Sequence, residues 1–448
     1  MVNEWEDVTI EDLKAQSPNS LATGPFGSNI SSRFFQDFGV PVIRGTNLSD
    51  NVSERLIDEN IIFVSEEKAS EFEKSSVSTG DLIFTCWGTI GQVGLIDNRS
   101  LYSKYIISNK QMKLTPDPSK ADSLFLYYLF SGPEMSGKIK NQAIGSSVPG
   151  FNLGQLRSLI LRLPPLNEQR IIARILGSLD DKIELNRRMN RTLEGMVRAI
   201  FKSWFVDFDP VHAKEEGRAP IGMDAETATL FPDGFEDSER GKIPRGWKTR
   251  TLSDLCSTQY GFTTSAKEGP TGPKFLRVKD INKLDWIEWD TVPFCDISER
   301  DKQKYALKVG DIVVARMADP GKSAIIEQTL DAVFASYLVR LKTESLAHAY
   351  FVYGFLKSRL YAEYTEGARG GSVQANMNAK VIVGVDLVVP PVNVMIAFLQ
   401  HALPLRQRIT ANVKESFTLT TLRDAILPML ISGDIRVKNF EKNVLKTY

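Results

Sequence analysis

Cysteine and histidine are scarce: 448 residues contain three of each. Cys86, Cys256 and Cys295 lie far apart and are odd in number, which rules out a Cys-x-x-Cys zinc or redox motif and reads as core thiols in a reducing compartment. His212, His348 and His401 form no His-x3-His pair for zinc. No stretch approaches about 18 consecutive apolar residues, and Met1 to Glu11 is acidic and polar without an apolar h-region. Neither a membrane span nor a signal peptide is expected, and the default location is the cytoplasm of a bacterium or archaeon. Net charge is absent too: 55 basic residues balance 55 acidic ones, so the chain cannot coat nucleic acid by bulk charge. Any DNA binding must use local patches.

What is present is an ordinary globular composition, 42% hydrophobic, 25% charged and 9% aromatic, at a length that accommodates two or three domains. A long internal repeat organises it. Trp5-x4-Ile10-x-Asp12-Leu13 recurs as Trp247-x4-Leu252-x-Asp254-Leu255. Val42-Ile43-Arg44 matches Phe275-Leu276-Arg277, Gly80-Asp81-Leu82-Ile83-Phe84 matches Gly310-Asp311-Ile312-Val313-Val314, and Leu163-Pro164-Pro165-Leu166 matches Val389-Pro390-Pro391-Val392. The offset shrinks gradually from 242 to 226 without a jump, so duplication is the economical reading.

Each unit reads as α/β (α+β). Leu82 to Thr85 and Ile312 to Ala315 are short strand-like runs after Gly-Asp turns, while Leu124 to Phe130 and Tyr350 to Leu356 read as helix. After each Pro-Pro pair the pattern becomes a long helix, because proline suits a helix start. In the first, Ile172, Leu176, Leu179, Ile183, Asn186, Asn190, Leu193, Val197, Ile200 and Trp204 alternate spacings of four and three, a heptad seam. That helix would run about 58 Å at about 1.5 Å per residue. The matching positions of the second are Phe398, Ala402, Leu405, Ile409, Asn412, Ser416, Leu419, Arg423, Ile426 and Leu430, with Pro404 and Pro428 expected to kink or end it. An antiparallel pairing would bring the polar centres around Asn186 and Asn412 together and fix the register. The competing reading is two unrelated helices packed on their own domains. The resulting division is 1–163 and 247–389 as globular domains, 164–207 and 390–433 as long spacer helices, 208–246 as a linker rich in proline, glycine and charge, wrapped over a surface, and 434–448 as a tail.

Catalytic readings fail one by one. Pro320-Gly321-Lys322-Ser323 resembles the end of a phosphate-binding loop, but Arg316 stands where the earlier glycine belongs, and the repeat counterpart Gly91-Gln92-Val93 lacks the lysine. A turn common to both units is the better reading. Neither Pro-Pro pair has the aromatic-flanked form of a base methyltransferase, and no glycine-rich cofactor fingerprint follows a strand. Asp207 and Asp209 lie at a helix end without a nuclease constellation.

The run Leu163-Pro164-Pro165-Leu166-Asn167-Glu168-Gln169-Arg170, followed by Ile172, Leu176, Leu179-Asp180 and Ile183, is similar to the specificity subunits of type I restriction-modification systems. Ala199-Ile200-Phe201-Lys202-Ser203-Trp204-Phe205-Val206-Asp207-Phe208 also resembles the end of that family's central helix. The likeness spans nearly the whole chain, although Val394 and Met395 stand where Glu168 and Gln169 would map. It implies two target-recognition domains in tandem, each followed by a long helix, the helices packed antiparallel as a spacer. It further implies a non-catalytic subunit whose domains read the two parts of a split, asymmetric duplex-DNA target. Two methylation subunits carrying S-adenosylmethionine would dock on the helices, and restriction/translocase subunits using ATP and magnesium would join through them. No cofactor is implied for this chain itself. Reading base edges needs Arg, Lys, Asn, Gln and Ser on well-held loops. The candidates are Ser28, Asn29, Arg44, Thr46, Asn47, Lys104, Ser146 and Ser147 in the first domain. In the second they are Thr263, Thr264, Arg277, Lys279, Arg316, Arg369, Ser372 and Gln374. The competing reading of each is a solvated loop residue, and of the whole chain a protein-only scaffold whose domains have lost DNA binding.

Overall fold

The computed structural model describes residues 5–27, 29–143, 150–239, 241–369 and 376–437. Two compact units divide the chain: Met1–Glu184 with Thr418–Tyr448, and Leu185–Phe417. In each unit the first strand of the repeat pairs antiparallel with the last. Glu6–Thr9 lies against Ile160–Leu163 with Glu6 opposite Leu163, and Lys248–Thr251 lies against Asp386–Val389 with Lys248 opposite Val389. The repeated Trp-x4-Ile/Leu-x-Asp-Leu motif then acquires a physical meaning. Asp12 accepts the Thr9 backbone N–H at 3.0 Å and Asp254 that of Thr251 at 3.1 Å, capping a single helical turn that buries Ile10 and Leu252 completely.

The first unit holds a four-stranded antiparallel sheet in the order Leu21–Thr23, Gln111–Leu114, Leu82–Thr85, Val93–Leu95. A second, mixed sheet runs Ile62–Val64, Val40–Ile43, Lys104–Ile107, Ser76–Ser78. The second unit repeats the antiparallel sheet as Cys256–Tyr260, Leu338–Thr343, Ile312–Ala315, Ser323–Ile325, and reduces the mixed one to the parallel pair Lys274–Leu276 and Ala332–Phe334. Leu82–Thr85 and Ile312–Ala315 are buried along their whole length, which is why they read as unbroken apolar runs rather than alternating ones. The Gly-Asp pair before each is a turn device: Asp81 accepts the Ser78 amide at 2.8 Å and Asp311 that of Lys308 at 2.9 Å. Helices Ser123–Ser131 and Leu346–Leu356, capped by Asp122 and Ser345, pack on these sheets.

Two helices of 40 and 41 residues, Leu166–Phe205 and Val392–Ser432, complete the fold. Each starts directly after its Pro-Pro pair, and the amides of Glu168 and Val394 return to the carbonyls of Pro165 and Pro391. In the first unit Ile172 and Leu176 share a core with Leu427, Leu430 and Ile431, and Asp180 accepts from Arg423 at 2.7 Å. In the second unit Asn186 donates to Glu415 at 2.9 Å, Asn412 donates to Asn190 at 2.8 Å, Arg406 meets Glu194, and Phe201 and Trp204 face Phe398. Rising positions on one helix meet falling positions on the other, so within both units the pairing is antiparallel.

Several details depart from the sequence pattern. Leu179, Leu193, Ile200, Leu405, Leu419 and Ile426 are only half-buried, whereas Asp180, Glu194, Phe201, Arg406 and Leu427 are buried. A scan for apolar residues passes over charged ones, yet here paired charges occupy seam positions. The second helix ends at neither Pro404 nor Pro428. Phe398, Ala402, Ile409, Leu427 and Leu430 are buried around them, and that burial offsets the missing amide hydrogen bonds. Segment 208–246 is folded rather than a bare linker. It contains helices Asp209–Glu215 and Ala225–Thr229 and the paired strands Phe235–Ser238 and Gly241–Pro244. Val211 and Phe231 are buried there, with Phe231 edge-on to Trp204 at 5.2 Å. Its apolar residues come singly, so no periodic signal announced it. Among the described residues no helix is long and apolar enough to cross a membrane.

Candidate nucleic-acid interface

At one end of each antiparallel sheet, four loops are tied into a single surface by backbone hydrogen bonds that the repeat preserves. In the first unit they start at Gly24, Arg44, Cys86 and Ser108; in the second at Gly261, Arg277, Arg316 and Ala335. Ser108 donates to Ile43 at 2.9 Å, as Ala335 does to Leu276 at 2.9 Å. Cys86 donates to Lys110 at 2.8 Å, as Arg316 does to Tyr337 at 3.0 Å. Phe151 donates to Cys86 at 3.0 Å, as Met377 does to Arg316 at 2.9 Å. The backbone frame is therefore the same in both units while the side chains on it differ, the arrangement expected of a platform whose loops carry specificity.

Glycine is required at one position of this frame in each unit. A Cβ on Gly24 would stand 1.8 Å from the Ser108 carbonyl oxygen, and one on Gly261 would stand 2.2 Å from that of Ala335. Gly24→Ala or Gly261→Ala is expected to push two loops apart and cost about 1–3 kcal/mol, read as a lower midpoint in urea unfolding. An unchanged midpoint would mean that the loops are not held against one another.

The phosphate-loop look-alike resolves here as well. Gly321 and its counterpart Gly91 turn between equivalent strands at φ +91° and +96°. The Gly321 and Lys322 amides are used by the carbonyls of Ala315 and Asp319, at 3.0 and 3.3 Å, so no phosphate cradle exists. Burial pushes the thiols of Cys86 and Cys295 up to about 11 and that of Cys256 up to about 12, which keeps all three protonated and poorly nucleophilic. Among the described residues, no group of three or more His, Cys, Asp or Glu is placed to hold a metal ion.

The residues expected from sequence divide clearly. Asn29, Thr46, Thr263 and Lys279 are exposed on the loops at the sheet ends, Thr264 is half-buried there, and Arg44, Arg277 and Arg316 join them. Asn47 is buried and committed: its oxygen accepts the Arg44 amide at 2.9 Å and its nitrogen donates to Ile57 at 2.8 Å, so it caps a turn and faces no ligand. Lys104 opens strand Lys104–Ile107, at the far end from Ser108, and pairs with Glu73 at 3.4 Å. Arg369 closes helix Arg359–Arg369, but its side chain lies outside the described residues, as do Ser28, Ser146, Ser147, Ser372 and Gln374.

Aromatic and basic residues missed from sequence complete the surface. Phe26 and Trp87 are 79% and 47% exposed on the first unit's loops, beside exposed Lys110. Trp87 lies over Gly150, where an added Cβ would come within 2.6 Å of the indole. In the second unit Tyr260 and Tyr337 are exposed near Arg316, with Lys322 on the adjoining turn. Large apolar rings held open to solvent among cations suit apolar contacts to bases and attraction to phosphates. Only their location on repeat-equivalent loops could have marked them.

Each compact unit is an α/β domain that presents such a loop end and carries its share of an antiparallel helix pair. The comparisons name the class. The family described as type I restriction modification DNA specificity domain matches residues 3–195. The chain is 26% identical over 461 residues to the type I restriction enzyme HindI specificity subunit of Haemophilus influenzae, covering 92% of this chain and 98% of that protein. It is 25% identical over 385 residues to the MjaIX specificity subunit of Methanocaldococcus jannaschii, covering 84% and 82%. Its fold is that of a type I S subunit from M. genitalium, with a TM-score of 0.55 at 16% identity over 96% of this chain and 97% of that one. Over most of its length the chain is thus similar to specificity subunits of type I restriction-modification systems, and residues 3–195 match that family's DNA specificity domain.

Proposed function

We propose that this chain supplies the DNA address of a type I restriction-modification complex. The loop end of the first unit reads one half of a bipartite, asymmetric duplex target and that of the second unit reads the other half. The paired helices set the gap between the halves. On this reading 1–163 and 247–389 are the recognition domains, 164–207 and 390–433 the spacer helices, 208–246 the connection and 434–448 a tail. Two readers on one spacer gain affinity together only when their half-targets have the right separation.

The observation that carries this reading is the repeated loop frame with divergent side chains: one docking geometry, two different chemistries. The outer faces of the long helices support docking of two methylation subunits, since Leu185, Met196 and Leu422 are about half exposed there. Those subunits bring S-adenosylmethionine. Restriction subunits, with ATP and magnesium, join through them.

The test is a map of methylated adenines in cells carrying the neighbouring methylation subunit, with and without this chain. One bipartite motif of fixed gap is expected only when the chain is present. Assembly of the complex without any such motif would return the chain to the protein-only scaffold reading.

A further inference from the structure

Resting on that DNA-reading function, the repeat also shows where the two units have exchanged roles. Arg44 and Arg277 occupy equivalent positions, each just before a single helical turn, Gly45–Asn47 or Val278–Asp280. The amide of each is accepted by the residue three on, at 2.9 Å in both cases. In the second unit that residue is Asp280, whose carboxylate also takes the guanidinium of Arg277, Nε at 2.9 Å and Nη2 at 2.8 Å. This closed bidentate pair leaves Arg277 little to offer a ligand. In the first unit the cap is the uncharged Asn47, whose amide is spent on Ile57. Among the described residues the Arg44 guanidinium has no hydrogen-bond or ion-pair partner, its Nε is buried without an acceptor, and it lies over the Phe35 ring at 5.8 Å.

The second unit has a comparable arginine, but on another loop. Arg316, whose counterpart is Cys86, has a buried Nε without an acceptor and lies over the Tyr260 ring at 5.0 Å. Among the described residues its one side-chain bond is from Nη2 to Asn376, at 3.3 Å. A guanidinium resting on an aromatic face has already lost much of its rotamer freedom, yet its in-plane donors stay available. A buried donor without an acceptor carries a desolvation cost that an incoming acceptor removes. Two parallel acceptors on a base edge, guanine O6 and N7, match such a fork.

We propose that Arg44 in the first unit and Arg316 in the second each read a guanine of the target by a bidentate contact, while Arg277, held by Asp280, only stabilises its turn. Duplication kept the platform and moved the reading arginine from one loop to another, and the partner chemistry of Asn47 and Asp280 decides where it is active.

The test uses the complex assembled with its methylation subunit. Once the wild-type motif is mapped, binding is compared for the target duplex and for duplexes in which each G·C pair is replaced in turn by A·T. Wild type is expected to bind roughly ten- to a hundred-fold more weakly to two particular replacements, one in each half. Arg44→Ala should abolish the discrimination at one of them and Arg316→Ala at the other, while Arg277→Ala leaves both intact. Affinities are compared as ratios on a single protein preparation, so a partly folded variant does not distort them. Uniform weakening on every duplex, with discrimination retained, would make these arginines phosphate contacts and overturn the proposal, as would loss of a position in Arg277→Ala. Failure of the wild type to show any bipartite motif would instead remove the DNA-reading function itself.

Discussion

Replacing Arg406 with methionine is expected to destabilise the second unit by about 3–5 kcal/mol, because it takes the cationic partner from the buried Glu194 and the partly buried Glu327 at once. Arg406 is 1% exposed. Its Nε and Nη2 donate to Glu327 at 2.8 and 2.7 Å, and its Nη1 serves Glu194 and, at 3.2 Å, the Asp285 carbonyl. Burial works against the guanidinium charge, but Tyr353, Glu327 and Glu194 around it hold it protonated well above the usual range. A methionine fills the volume and supplies none of these donors. Urea unfolding followed by tryptophan fluorescence would report the loss locally, because Trp204, Trp247, Trp286 and Trp289 are all buried in this unit. Adding Glu194→Gln and Glu327→Gln should recover part of the stability, since neutral amides cost less to bury than unpaired carboxylates. A loss below about 1 kcal/mol in Arg406→Met would show that water reaches these groups and that the network is not dry.

The same network marks what a linear reading can and cannot see. The repeat, the strands Leu82–Thr85 and Ile312–Ala315, the helices after the Pro-Pro pairs and the meeting of Asn186 with Asn412 were all legible, because each is a local pattern or a symmetry of the sequence. Asp180, Glu194 and Arg406 were not legible as seam residues, since a buried charge is defined by a partner far away in sequence. Glu168 and Gln169 show this directly. The first pairs with Arg436 at 2.8 Å, and the second bridges Asp122 and Pro164 at 3.0 and 2.9 Å. Where Val394 and Met395 replace them in the second unit, both are buried apolar packing. One helix start is thus locked by polar contacts and the other by hydrophobic burial, at equivalent positions. The surface proposed to read DNA is legible in sequence only in part, for a related reason. Loop composition nominated Arg44, Arg277 and Arg316 alike, and only the geometry of Asp280 separates the tied arginine from the other two.

In the first unit the corresponding expectation concerns Asp180 and Arg423, and here the two single variants should differ. Asp180 is fully buried, with Arg423 at 2.7 Å as its cationic partner and the Tyr128 hydroxyl donating at 2.5 Å. That hydroxyl accepts in turn from Arg55 at 3.2 Å, which is paired with Asp97 at 2.5 Å. Arg423 has a second carboxylate, the half-exposed Asp424, at 2.7 Å. Arg423→Met therefore leaves Asp180 charged in a dry seam and should cost about 3–5 kcal/mol, whereas Asp180→Leu leaves Arg423 partly compensated and should cost less. Combining the two replaces an ion pair by apolar side chains of similar bulk, and the double variant should lie nearer to wild type than Arg423→Met does. Urea unfolding of the four proteins gives the coupling energy directly, and strictly additive losses would mean that the pair does not tie these helices together. If the coupling is large, the charges at Asp180 and Arg423 fix which face of one helix meets the other, a register that apolar side chains alone specify weakly. A slipped register would alter the spacing that the helices are proposed to set. Complexes assembled with the double variant, stable but without the pair, should then methylate sites of more than one gap length, where one is expected with wild type.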